Sequence, residues 1–232
     1  MTQGWGLTGA ARIGGAPLFG PLTLSLVPGG WTCLLGASGA GKSTVLRLLA
    51  GLDTGATFDG EVRAPARVAF MAQTDLLLPW ASVADNVTIG ARLRGVRPDL
   101  ARAADVIAAT GLAGLADRRP AQLSGGQRQR AALARTLMED ADLALLDEPF
   151  SALDARTRAE MQELSARLLA GRTVLLVTHD PAEAVRMGNR ILVLEHGALA
   201  DMPPPPGAVP RAVEDPAALA MQARLLTRLR AA

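Results

Sequence analysis

Short apolar runs alternate with amphipathic stretches along this chain. Residues 22–27, 31–35, 67–71, 143–146, 173–177 and 191–194 are apolar-rich and bounded by turn residues, the pattern of short strands. Residues 61–63 add another short strand, and Pro28-Gly29-Gly30 turns the first run into the second. A helix is predicted from about Lys42 to Leu49, closed by Gly51. Between about residues 75 and 122 the period changes. Asn86, Val87, Ile89 and Leu93, then Val106, Ile107 and Leu112, recur at helical spacings with no strand between them, so a helical insertion is expected there.

Asp180, Pro181 and Glu183 stand where an N-cap, a first-turn proline and a third-position glutamate open a helix. Pro203 to Pro206 forms a short polyproline spacer, and residues 216–230 predict a last helix with Leu219, Leu225, Leu226 and Leu229 on one side. The spacer and this helix are expected to pack on the body of the chain. Strands alternating with helices give an α/β fold with a partly parallel sheet.

Composition narrows the classes of function. Apolar residues make up 49% of the chain and charged residues 20%, enough to build a core. Net charge is only +2 and the arginines are interspersed with acids, so no nucleic acid partner is expected. Cys33 is the only cysteine, which excludes an intrachain disulfide and fits a reducing compartment. The first 16 residues carry no signal-peptide pattern, and no run of about 18 apolar residues appears. The expectation is a soluble chain that meets a membrane only through a partner.

Gly36, Ala37, Ser38, Gly39, Ala40, Gly41, Lys42 and Ser43 match GxxxxGK[ST], the phosphate-binding loop, in the strand-to-helix context it requires; Thr44 follows in the helix. Glycines let backbone N–H groups face phosphate oxygens, and the helix brings its positive end. Lys42 supplies a cation for β- and γ-phosphates, and the Ser43 hydroxyl can ligate Mg²⁺. Residues 143–146 lead into Asp147 and Glu148. A carboxylate at the end of such a strand suits Mg²⁺, and the next can orient or deprotonate an attacking water.

Leu123, Ser124, Gly125, Gly126 and Gln127 form LSGGQ, which resembles the signature motif of ABC ATPases and lies in the order that family requires. The resemblance spans roughly residues 22–199. It implies a P-loop NTPase core with an N-terminal antiparallel β subdomain and an inserted α-helical subdomain at about 75–138. The ABC ATPase domain would then run over 1–200, with the spacer and C-terminal helix over 201–232. In the family, the signature completes the ATP site of a second chain, so a homodimer with two shared sites is implied.

Other family positions follow by motif. Gln73 fits the Q-loop glutamine near Mg²⁺ and the attacking water, Asp154 closes a D-loop at Ser151-Ala-Leu-Asp154, and His179 fits the H-loop at the γ-phosphate. The resemblance thus assigns Glu148, His179 and Gln73 to catalysis, Ser43, Gln73 and Asp147 to Mg²⁺, and the loop, signature and Asp154 to nucleotide. His196 has no such match and reads as a solvated turn residue. The family's adenine-stacking aromatic is missing: its region reads Arg12-Ile13-Gly14-Gly15, leaving Ile13, Phe19 or Trp5 as the base contact.

The segment from Gln73 to Val87 is similar to importer cassettes for nitrate, taurine and alkylsulfonates, and thiamine or its pyrimidine precursor. That implies an ATP-hydrolysing importer subunit at the cytoplasmic face of the inner membrane, held there by a separate permease and served by a solute-binding protein. Residues 75–80 would help form the groove for the permease. The alternative is a non-transport ABC ATPase of DNA repair or translation.

Overall fold

The computed structural model describes residues 4–231, in two compact units. The first holds residues up to 68, 142–147 and 170 onward; the second holds 69–141 and 148–169.

In the first unit β1 (Gly6–Ile13), β2 (Ala16–Ser25) and β4 (Thr57–Arg63) make a three-stranded antiparallel sheet in the order β2-β1-β4. β1 could not be read from its apolar pattern because it is built on close approach. A Cβ at Gly9 would lie 2.3 Å from the Asp59 carbonyl oxygen, so only glycine lets the neighbouring strand pass there. β2 is longer than its apolar part, whose alternation buries Leu22 and Leu24.

The same unit contains the central sheet strands β6 (Leu143–Asp147), β7 (Thr173–Val177), β3 (Trp31–Gly36), β8 (Arg190–Glu195) and β9 (Ala198–Met202), side by side in that order. The first four are parallel and β9 is antiparallel to β8. Every residue of β3, β6 and β7 is buried, which is why these strands read as unbroken apolar runs. β9 was not expected; four of its five residues are exposed or half-buried, and a short turn at His196-Gly197 joins it to β8 as a hairpin. His196 is exposed in that turn.

α1 (Lys42–Leu49) packs on β3, β6 and β7 through Val45, Leu46 and Leu49, at the spacing expected of a core-facing helix. α6 (Pro181–Met187) starts at the Asp180 N-cap as the sequence predicts. α7 (Pro216–Ala231) packs against α6, but its buried stripe is Ala218, Met221 and Leu225. Leu219 and Leu226 are exposed, contrary to the expected leucine face, because the i, i+3, i+7 series starting at 218 lies on the docked side. Arg211 secures the segment before it, donating to the carbonyls of Pro205, Val185 and Gly188 at 3.0, 2.7 and 2.8 Å.

β5 (Val68–Met71) leads into the second unit, which contains α2 (Val83–Leu93), α3 (Leu100–Ala109), α4 (Gly125–Met138) and α5 (Ala155–Leu168). Ser82, Asp99, Ser124 and Asp154 each cap the following helix through a side-chain oxygen. Val83, Val87, Ala103, Val106, Ile107, Ala131, Leu133, Ala134 and Leu137 are buried in this unit, whereas Leu93 is 79% exposed and lies outside its core.

Candidate active site

The elements of the first unit bring the phosphate loop, Asp147 and His179 to one edge. β6, β7 and β3 are adjacent and parallel, with Asp147 level with Val177 and Val177 level with Leu34. Their carboxyl ends therefore coincide, where open α/β sheets bind ligands. The loop of residues 36–41 leaves β3 there, Asp147 ends β6, and His179 stands two residues beyond β7. Asp147 is buried at 4% exposure and His179 is exposed.

Gly41 sits at the start of α1 in a left-handed conformation, φ 100°, and gives the helix no side-chain cap. The first N–H groups of α1, at Lys42, Ser43 and Thr44, open on a first turn with no acidic residue, the setting that binds phosphate. A Cβ at Gly41 would come within 3.0 Å of Phe19 and 3.1 Å of Leu18. Ala37, Ser38 and Gly39 are exposed, while Lys42 is 6% exposed and donates to the carbonyls of Gly36 and Ala37, each at 2.8 Å. The loop thus folds around its own lysine and holds a buried cation where phosphate would arrive.

The donors suit Mg²⁺. Ser43 and Asp147 offer hard oxygens, and no group of three or more His, Cys, Asp or Glu that could hold a metal occurs among the described residues. A metal here would rely on phosphate oxygens and water to complete its coordination, the habit of magnesium.

Thr178 links β7 to α6 beside His179. Its buried hydroxyl donates to Glu183 at 2.7 Å and accepts from the Asp180 N–H at 3.0 Å. Phe19, one candidate for adenine, is 1% exposed beneath the loop, so it offers no stacking surface; Ile13, at the hairpin tip, is 47% exposed and Trp5 is half-buried.

In the second unit, the amide of Gln73 donates to the carboxylate of Glu148 at 3.3 Å. Glu148 has φ 48°, a strained setting for a side chain of its size. Its carbonyl is held by the Ser151 hydroxyl at 3.0 Å and the Gln129 amide at 3.3 Å, and Gln129 also reaches Pro149 at 3.2 Å. Gln129 and Ser151 thus hold the turn at Glu148; Ser151 opens the D-loop string already named, whereas Gln129 is not visible from motif spacing.

Ser124, Gly125, Gly126 and Gln127 open α4. The Ser124 hydroxyl accepts from the Gln127 N–H at 3.2 Å, and the Gln127 side chain accepts from the Ser124 N–H at 2.8 Å. Ser124 and Gly125 are exposed. Asp154, also exposed, caps α5 by accepting from Thr157 N–H at 3.0 Å, which draws its carboxyl below the usual range. Asn86, fully buried, binds both polar groups of Leu78 and the carbonyls of Ala81 and Ser82, fixing the loop that exposes Trp80 at 70% and Leu76 at 61%.

The ABC transporter family profile matches residues 19–151, more than half the chain. The chain belongs to the ABC transporter ATP-binding family. It is an ATPase of the mixed α/β ABC fold, and ATP is its nucleotide. This ABC ATPase is 45% identical over 217 residues to the aliphatic sulfonates import ATP-binding protein SsuB of Delftia acidovorans, across 93% of the chain and 89% of the relative. It is 44% identical to an uncharacterized ABC transporter ATP-binding protein of Haemophilus influenzae, across 93% of both. Among solved structures it resembles a dimeric ATP-binding cassette in a post-hydrolysis state bound to ADP and Pi, with TM-score 0.76 and 29% identity, across 85% of this chain and 97% of that one. Among the described residues no helix is long and apolar enough to cross a membrane.

Proposed function

We propose that this ABC ATPase powers import of a small solute through a separate permease. The supporting observation is the 45% identity to a sulfonate import ATP-binding protein. The exposed Leu76 and Trp80 fit docking of such a permease. A sulfonate-like anion is the favoured cargo, delivered by a solute-binding protein, and the cassette works at the cytoplasmic face of the inner membrane.

The catalytic reading rests on the motif resemblance together with the chemistry of the residues. Lys42 exchanges its loop carbonyls for phosphate oxygens, and the loop N–H groups of residues 38–44 take the remaining charge. Ser43 and Asp147 would hold Mg²⁺, which would neutralise charge on the phosphates; Gln73 is assigned to the same ion by the motif resemblance alone. Glu148 accepts a proton from the attacking water, Gln73 orients the carboxylate, and His179 contacts the γ-phosphate. Ser124, Gly125, Gly126 and Gln127 complete the site of a second copy, next to the Asp154 region, so that two chains enclose two nucleotides. Ile13 offers an apolar edge to adenine.

Affinity purification of the tagged chain from its native membrane, followed by mass spectrometry, tests the transport reading. A multi-span permease should co-purify. Recovery of only soluble or nucleic-acid-associated partners would overturn it.

A further inference from the structure

The signature helix grips the segment that follows Gln73. Arg128, in the first turn of α4, donates from one guanidinium nitrogen to the Leu123 carbonyl at 2.9 Å and from another to the Asp75 carboxylate at 3.0 Å. Arg135 lies seven residues on, two turns along the same face. It donates to the backbone carbonyls of Asp75 and Leu76 at 2.8 and 2.7 Å. The other Asp75 oxygen accepts from Leu77 N–H at 3.2 Å. Leu76 is held at φ 45°, a conformation that a leucine adopts only under constraint.

A lone half-exposed ion pair would contribute little. Here one planar fork spans two chain segments and a second fork fixes two successive carbonyls, so geometry rather than net charge is what the arginines supply. Leu123 immediately precedes Ser124, and Asp75 lies two residues beyond Gln73. Moving either segment alone breaks the bridge.

We infer that Arg128 and Asp75 are positioning residues that lock the post-Gln73 segment to the start of the signature helix, so that Ser124 is presented to the second ATP site only when that segment is in place. The inference rests on the proposed two-chain ATP site. It predicts a defect in turnover rather than in binding, because each chain's own phosphate loop is untouched.

The test is ATPase kinetics of the full chain as Asp75→Asn, Arg128→Ala, the double variant and Arg128→Lys, with amide hydrogen exchange of the same proteins. Each single variant should lower kcat about five- to thirtyfold with KM for ATP unchanged. The double variant should be no worse than Arg128→Ala, and Arg128→Lys should not restore kcat because one ammonium cannot span both acceptors. Amides of residues 76–78 and 124–128 should exchange faster in Arg128→Ala. Wild-type kcat in the single variants, multiplying losses in the double, or unchanged exchange would each overturn the inference. The wild-type chain assayed alongside reads the proposed ATP site itself, and the exchange measurement needs no turnover, so the two failures are separable.

Discussion

The side-chain amide of Gln73 donates to the carboxylate of Glu148 across 3.3 Å, joining two residues 75 positions apart in the chain. A strained backbone at Glu148, fixed by Gln129 and Ser151, keeps the carboxylate in this setting. With Glu148 as the general base, Glu148→Gln should bind ATP with unchanged affinity and hydrolyse it at least about a hundredfold more slowly. Phosphate release set beside nucleotide binding checks this, and normal turnover would remove Glu148 from the role.

Lys42 already makes two charge-assisted bonds to its own loop, so its removal costs loop order as well as the proposed phosphate contact. Lys42→Ala should weaken ATP binding by about ten- to a hundredfold. Titration with a fluorescent ATP analogue measures it; an unchanged dissociation constant speaks against the phosphate-loop assignment.

Ser124 stands exposed at the head of α4, and in the proposed two-chain site an arginine there would fill the space that a phosphate takes. Ser124→Arg should abolish hydrolysis while leaving binding at its own loop intact. Should ATP binding disappear as well, the assignment of the signature to the other chain's site would fail.

Asn86 makes four hydrogen bonds to backbone groups of Leu78, Ala81 and Ser82 at zero exposure. Asn86→Ala leaves buried groups unsatisfied and should cost about 2–4 kcal/mol, summed over more than one lost bond. Denaturant unfolding reads the loss, and faster proteolysis should localise near Trp80.

Glu195 is held below the usual carboxylate range, first by its hydrogen bonds with Arg228 on α7. Its folded pKa lies below the unfolded value of about 4.3, so its stabilisation is complete above that value and is lost as pH falls through the folded pKa. Amide protection of α7 should hold from pH 7 to 5 and fall in more acidic solution. Arg228→Ala should remove this acid sensitivity; a pH profile matching wild type would show the pair does not anchor the helix.

Much of the fold was legible because buried parallel strands are apolar throughout and capped helices announce their starts. β3, β6, β7, α1 and α6 fall close to where the pattern puts them. β1 escaped because Gly6 and Gly9 serve strand proximity instead of apolar burial, and β9 because its exposed residues dilute the alternation. Of the residues proposed for the site, the loop of residues 36–44, Asp147, Glu148 and LSGGQ are local strings that spacing alone can pick out. Asp75 with Arg128, Gln129 with Glu148, and Thr178 with Glu183 are contacts set by tertiary packing, and no local string encodes the first two.

The most direct test of a nucleotide-driven cassette is sedimentation equilibrium of Glu148→Gln with and without ATP and Mg²⁺. The slowed variant should be monomeric alone and dimeric with ATP, and adding Ser124→Arg to the same chain should prevent the dimer. A monomer at saturating ATP would contradict the two-chain site.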